Sequence, residues 1–193
     1  IMNANPEKDP TKKDWTGVLN LGIGNNRILS VGLGEPGRIR FDRDILEQRG
    51  LRAVIIFEAI NDIGTSKAPD ETSRQLIEAY HVMISKAKAC GLKVYMGTIT
   101  PFRGCKSYFT EEREKARKVV NDWIRTTKEI DGFIDFDALM RDPSEPEQLR
   151  KEWQSGDWLH PNPDGYKMMG EFAAKQLSKQ ATPGNGFSTV TVR

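Results

Sequence analysis

Cysteine and histidine are both scarce in this chain, with two of each among 193 residues. Cys90 and Cys105 are too few for a disulfide framework, and their spacing is not that of a metal site. Cys90 reads as a small residue at a helix end, and nothing in the sequence supports a bond between the two. Neither a metal nor an organic cofactor is expected. Charge of one sign is also lacking: 29 Lys and Arg face 27 Asp and Glu, a formal net charge of +2. That balance gives no electrostatic case for nucleic acid or for an anionic membrane. No apolar run is long enough to span a bilayer, so a soluble protein without a membrane span is expected. No signal peptide is evident, and the chain opens on Ile1-Met2, so the compartment stays open, secretion included.

What is present suffices for one domain with a single substantial core. Residues 1–17 are polar, charged and proline-containing and read as an irregular arm. Residues 18–180 read as the folded domain and 181–193 as a loose tail, in which Phe187 to Val192 could form an edge strand. Val18 to Leu21 is a short apolar strand feeding the loop Gly22-Ile23-Gly24-Asn25-Asn26. Arg38 to Gln48 reads as a short helix stopped by Gly50. Ala53 to Phe57 is a continuous apolar run, as expected of a strand buried on both faces. Asp70 to Cys90 carries Leu76, Tyr80, Met83, Ile84 and Ala87 on one helical stripe, with Gly91 suited to the position after it. A strand is expected over Lys93 to Ile99, and a helix capped by Thr110 over Glu111 to Thr126. Another strand is expected over Phe133 to Phe136. Asn162-Pro163 reads as the cap and first-turn proline of a final helix through about Leu177. Strands alternating with helices predict an α/β fold with a parallel sheet covered on both faces.

In such a sheet, ligands sit at the carboxyl ends of the strands. The loop before the last helix carries Asp157-Trp158-Leu159-His160. A histidine base needs one ring nitrogen oriented by an acceptor and the other left free, and a carboxylate three residues earlier can reach Nδ1. The competing reading is a surface loop whose histidine caps a helix. Asn61, after the 53–57 strand, could donate from its side-chain amide to a developing oxyanion, or merely cap a turn. Trp158 and Tyr108 could offer a sugar platform, although single aromatics mostly pack. His81 reads as a structural or surface residue.

Taken together these blocks resemble the SGNH (GDSL-type) hydrolases. Glu58 to Ile63 (EAINDI) is similar to their G-x-N-D block, and Ser155 to Asn162 to their D-x-x-H block. Val18 to Leu29 resembles their second block, which supplies a backbone oxyanion donor, here Asn25. Arg40 to Asp44, Val120 to Arg125 and Ile134 to Asp137 resemble a carbohydrate-esterase-like branch. The resemblance implies a flavodoxin-like three-layer α/β/α sandwich and hydrolysis of acyl or acetyl esters of carbohydrates or lipids. His160, Asp157, Asn61 and Asn25 would form the catalytic set.

The first block of that family, an apolar strand ending in Gly-Asp-Ser, is not found: Gly-Asp-Ser occurs nowhere in the chain. In strand order 2-1-3-4-5 its loss would leave two facing strand edges with unpaired backbone groups. Three explanations stand. A separate N-terminal segment carries the serine, or another strand such as Phe187 to Val192 takes the slot, or the protein is a non-catalytic relative that binds carbohydrate or a partner. The family's glycine is replaced by Ala59, a mild change unless that backbone needs positive φ. A further rival is a nucleotide-dependent enzyme, because Gly32-Leu33-Gly34-Glu35-Pro36-Gly37 matches G-x-G-x-x-G and Glu58 sits near a ribose-binding position. Pro36 and the poor preceding strand weigh against it.

Overall fold

The four residues Ala53–Ile56 (β2) are buried without interruption, and a strand sealed on both faces needs neighbours on both edges. The computed structural model, which describes residues 17–180 and 189–192, supplies them. On one side β2 pairs in parallel with Lys93–Gly97 (β3), which pairs in parallel with Gly132–Ile134 (β4). On the other side it pairs with Thr189–Val192, which in turn pairs with Val18–Asn20 (β1). Thr189–Val192 is the last strand in the chain, β5, and the sheet order is β1-β5-β2-β3-β4.

The sequence leaves this run two places, a sheet edge or the slot of the absent first strand, and Thr189–Val192 lies inside the sheet. It occupies the slot that the flavodoxin-like order gives to the first strand, so two bare facing edges are not found. β1 is the edge strand instead, and its three residues are exposed.

Helices cover both faces. Pro69–Ala89 (α3) and Glu111–Thr126 (α4) pack with Val54, Ile56, Val94 and Met96 on one side. Phe136–Met140 (α5) and Pro163–Gln180 (α6) lie against the core of Ala53, Ile55, Tyr95 and Ile134 on the other. This is an α/β/α sandwich of flavodoxin-like type. Thr110 caps α4 by accepting from the Arg113 amide, and Asn162 accepts from the Gly165 amide at the start of α6.

Several boundaries differ from the sequence reading for local reasons. The helix at Gly37–Phe41 (α1) widens into a π-turn over Asp42–Leu46, where the Glu47 amide reaches Asp42 O five residues back. The strand expected through Ile99 stops at Gly97 because the Asn121 side chain takes both Ile99 backbone groups, at 2.7 and 2.9 Å. The strand expected through Phe136 stops at Ile134, since Asp135 caps α5 by accepting from the Ala138 amide. The short helix Ile60–Gly64 (α2) begins directly after β2 and its loop. Both cysteines are free: Cys90 is exposed at the end of α3 and Cys105 is buried.

Candidate active site

At the carboxyl ends of β1, β2 and β3 lies a cleft of about 410 Å³, lined by residues that include Asn25, Glu58, Asn61, Thr100, Tyr108 and His160. The loops that follow three strands, together with the loop entering α6, thus converge on one opening.

The histidine loop is held by Asp157. One carboxylate oxygen, Oδ1, accepts from the backbone amides of Leu159 and His160, both at 2.9 Å. The other, Oδ2, lies 2.6 Å from His160 Nδ1. The turn is closed further by the Ser155 amide donating to His160 O at 2.9 Å. Desolvation acts to raise the Asp157 pKa, but the imidazole and the two amides outweigh it and hold the carboxyl well below the usual range. A permanent carboxylate on Nδ1 fixes ring orientation and leaves Nε2 for proton transfer, in a side chain that is 63% exposed.

Asn61 stands on the first turn of α2. Its Nδ2 donates to Asn26 O at 2.9 Å, and its Oδ1 accepts from the Tyr108 hydroxyl at 2.8 Å. One amide hydrogen is thereby committed and the second remains for a ligand. Tyr108 gets this close because residue 64 is glycine: a Cβ there would stand 2.0 Å from the Tyr108 ring. Next to Asn61, buried Asp62 accepts from the amides of Ile28 and Leu29, each at 2.9 Å, and so ties the Asn25 loop to α2. Burial raises the Asp62 pKa, while those two amides oppose it. Arg40 completes the brace, donating to Asn26 Oδ1 and Leu21 O. Asn25 itself has φ of +53°, a conformation asparagine tolerates.

The structure thus brings Asp157, His160, Asn61 and Asn25 to one cleft. Ser155 is elsewhere in function: its hydroxyl donates to Asp157 Oδ1 at 3.2 Å, on the oxygen that does not face the imidazole. Among the described residues, no serine or cysteine lines the cleft. Ala59 adopts φ of +129°, so the glycine-to-alanine change is not mild but strained. Trp158 packs against Gly104 rather than lining the cleft. His81 pairs with Glu129 at 2.7 Å and meets the edge of Trp123. The glycine-rich stretch 32–37 has no strand before it. Gly32 is needed there because a Cβ would stand 2.1 Å from Asn25 O, which is packing, not phosphate binding. Asp62, Arg40 and Asn121 were legible only as parts of motifs; their bracing roles depend on contacts distant in sequence.

A parallel α/β/α sandwich with a carboxylate-oriented histidine and an asparagine amide at its strand ends has the architecture of an SGNH-type hydrolase. The sequence model of the GDSL-like Lipase/Acylhydrolase family matches residues 7–168, and the chain belongs to that family. Among solved structures, a GDSL-like lipase from Bacteroides thetaiotaomicron is 19% identical, with a TM-score of 0.64, over 86% of this chain and 89% of that one. A Bacteroides fragilis protein is 21% identical, with a TM-score of 0.63, over 87% and 89%. A member of the lipolytic G-D-S-L family from Veillonella parvula is 14% identical, with a TM-score of 0.55, over 86% and 100%. Likeness at these identities carries the fold alone. No curated protein matches the chain.

Proposed function

We propose that this acylhydrolase-family chain provides the base and oxyanion groups of a serine esterase acting on acyl or acetyl esters of carbohydrates or lipids. The observation that carries the reading is the Asp157–His160 pair facing a cleft that Asn61 and Asn25 also line. The nucleophilic serine comes from a segment outside the described residues. Its hydroxyl attacks the ester carbonyl while His160 Nε2 takes the proton. Asn61 Nδ2 and the Asn25 amide stabilise the oxyanion. The carbon–oxygen bond then breaks, His160 returns the proton to the leaving alcohol, and water releases the acyl group by the same route.

A second reading is a non-catalytic carbohydrate- or partner-binding relative, favoured by the lack of a serine or cysteine along the cleft among the described residues. Hydrolysis of p-nitrophenyl acetate and acetylated sugars separates the two. The assay compares the 193-residue chain, a form extended with an apolar strand ending in Gly-Asp-Ser, and the His160→Ala version of that form. Activity in the extended form that His160→Ala abolishes supports the esterase. Inactivity of a folded extended form supports the binding protein.

A further inference from the structure

We propose that Glu58 is a hydrogen-bonding subsite for the hydroxyl groups of a polyol or sugar ester, built into the wall of the cleft. The inference rests on the esterase reading and adds the chemistry of the alcohol. Glu58 follows β2 by two residues, is 9% exposed, and lines the cleft with Asn61 and His160. Its Oε2 is buried and has no hydrogen-bond partner among the described residues. A sealed carboxyl oxygen without a partner is unfavourable, and such groups are retained where something else completes them.

The neighbours do not complete it. Arg40 donates to Asn26 Oδ1, Leu21 O and Asp44 Oδ2. Asp62 has its two oxygens engaged by the Ile28 and Leu29 amides. The Tyr80 hydroxyl donates to the backbone carbonyl of Glu58, not to its side chain. Burial first, and the negative charge of Asp62 second, push Glu58 up to about 8, with Arg40 opposing. At neutral pH the group is a protonated carboxyl, able to donate through O–H and to accept through C=O. A hydroxyl matches both functions. Among the described residues no lysine or arginine lines the cleft, so these offer no fixed cation to a phosphate or a uronate. Its polar recognition is of neutral groups.

The test is a binding comparison on the 193-residue chain by nuclear magnetic resonance, with two probes. One is a methyl xyloside bearing a single acetyl ester and free hydroxyls; the other is cyclohexyl acetate, an ester of similar ring size without them. The sugar ester should bind up to about tenfold more tightly, the worth of one well-made hydrogen bond. It alone should move the carboxyl carbon signal of Glu58. Glu58→Leu should erase the preference, and Glu58→Gln, which keeps a neutral donor and acceptor, should retain it; the spectra of both variants report that they are folded. Equal affinities for the two probes, or a preference that survives Glu58→Leu, would overturn the proposal. So would a Glu58 signal that the sugar ester leaves in place. Binding is read without turnover. A chain that binds selectively yet hydrolyses nothing in the extended form would sink the esterase reading and leave the subsite standing; hydrolysis without preference would do the reverse.

Discussion

The Tyr108 hydroxyl donates to Asn61 Oδ1 at 2.8 Å, completing an amide orientation that the Asn26 carbonyl dictates. Asn26 O, 2.9 Å from Nδ2, can only accept, so the NH2 end must face it and the carbonyl end must face Tyr108. A flipped amide would present oxygen to oxygen and lose the oxyanion donor. In a serine-bearing form, Asn61→Ala should lower kcat by about 10²–10³-fold with little change in KM. Tyr108→Phe keeps the ring against Gly64 and removes only the orienting bond. It should cost about tenfold in kcat, corresponding to roughly 1.4 kcal/mol. Steady-state kinetics of both variants check this, and an unchanged kcat in Asn61→Ala would remove the oxyanion assignment.

Asp157 holds both the imidazole and the loop that carries it, since Oδ2 meets Nδ1 and Oδ1 meets two backbone amides. Asp157→Asn can preserve the amide contacts through its carbonyl oxygen but then presents an NH2 group to the ring. The imidazole then loses its charge partner and its fixed tautomer. The serine-bearing form should fall about 10³–10⁴-fold in kcat with a small change in melting temperature. A large loss of stability with kcat preserved in the remaining folded protein would mean that Asp157 serves the loop alone.

Asp62 has a different duty, although it adjoins Asn61. It is buried and satisfies the Ile28 and Leu29 amides across more than thirty residues of chain. Asp62→Ala leaves both amides unpaired, a loss of roughly 2–4 kcal/mol. Thermal melting should drop by about 5–10 °C. The Asn25 loop should also exchange its amide hydrogens faster, because only the Asn61–Asn26 bond then ties it to α2. Melting and hydrogen exchange together test this, and an unmoved exchange pattern in the 22–29 loop would show that other contacts hold it.

The stability of the fold should depend on pH through Glu58. Its folded-state pKa is raised from 4.5 to about 8, first by burial and then by Asp62. A raised acid binds its proton more tightly in the folded state than in the unfolded one. Its contribution is therefore fully present below pH 4.5 and is lost as pH climbs through about 8. The loss is at most on the order of 5 kcal/mol. Asp62, also raised by burial, adds to the same slope, while the charge of Arg40 favours the ionised Glu58 and partly offsets the rise. The melting temperature should fall between pH 5 and pH 8.5, and Glu58→Gln should flatten that fall. Equal slopes in the two proteins would place the dependence elsewhere.

How far the sequence foretells this structure depends on how local each cause is. The buried β2 run, the long stripe of α3, the Thr110 cap and the Asp157–His160 turn are set by residues within a few positions of one another, and each is found where the pattern places it. The strand end at Gly97 is not legible locally because Asn121, more than twenty residues on, takes over the Ile99 backbone. The helix at Phe136 was missed because a β-favouring run is overruled by one capping bond from Asp135. Glu58 reads from sequence as a polar loop residue; only the packing of α1, α2 and α3 around it makes it a buried acid. The interior place of β5 is the most distant effect: the run alone does not choose between a sheet edge and the vacant slot, and the choice falls to the facing edges of β1 and β2.

That strand leads to the last prediction. β5 is hydrogen-bonded on both sides, its Thr189 to Thr191 in register with Val18 to Asn20 and its four residues in register with Ala53 to Ile56. Removing residues 187–193 from the chain exposes the facing edges of β1 and β2, with each buried unpaired backbone group costing roughly 1–3 kcal/mol. The truncated chain should melt far lower or aggregate through those edges. A Gly-Asp-Ser strand added at the N-terminus would need the same slot, because the order 2-1-3-4-5 places it between the strands that correspond to β1 and β2. The two strands cannot both occupy it. In the extended form β5 should be displaced, so deleting residues 187–193 there should change the melting temperature little and leave esterase activity intact. Thermal melting of the four forms, with and without each strand, measures the competition directly. If deletion destabilises the extended form as much as the original chain, β5 holds the slot against the added strand, and the serine must reach the cleft by another path.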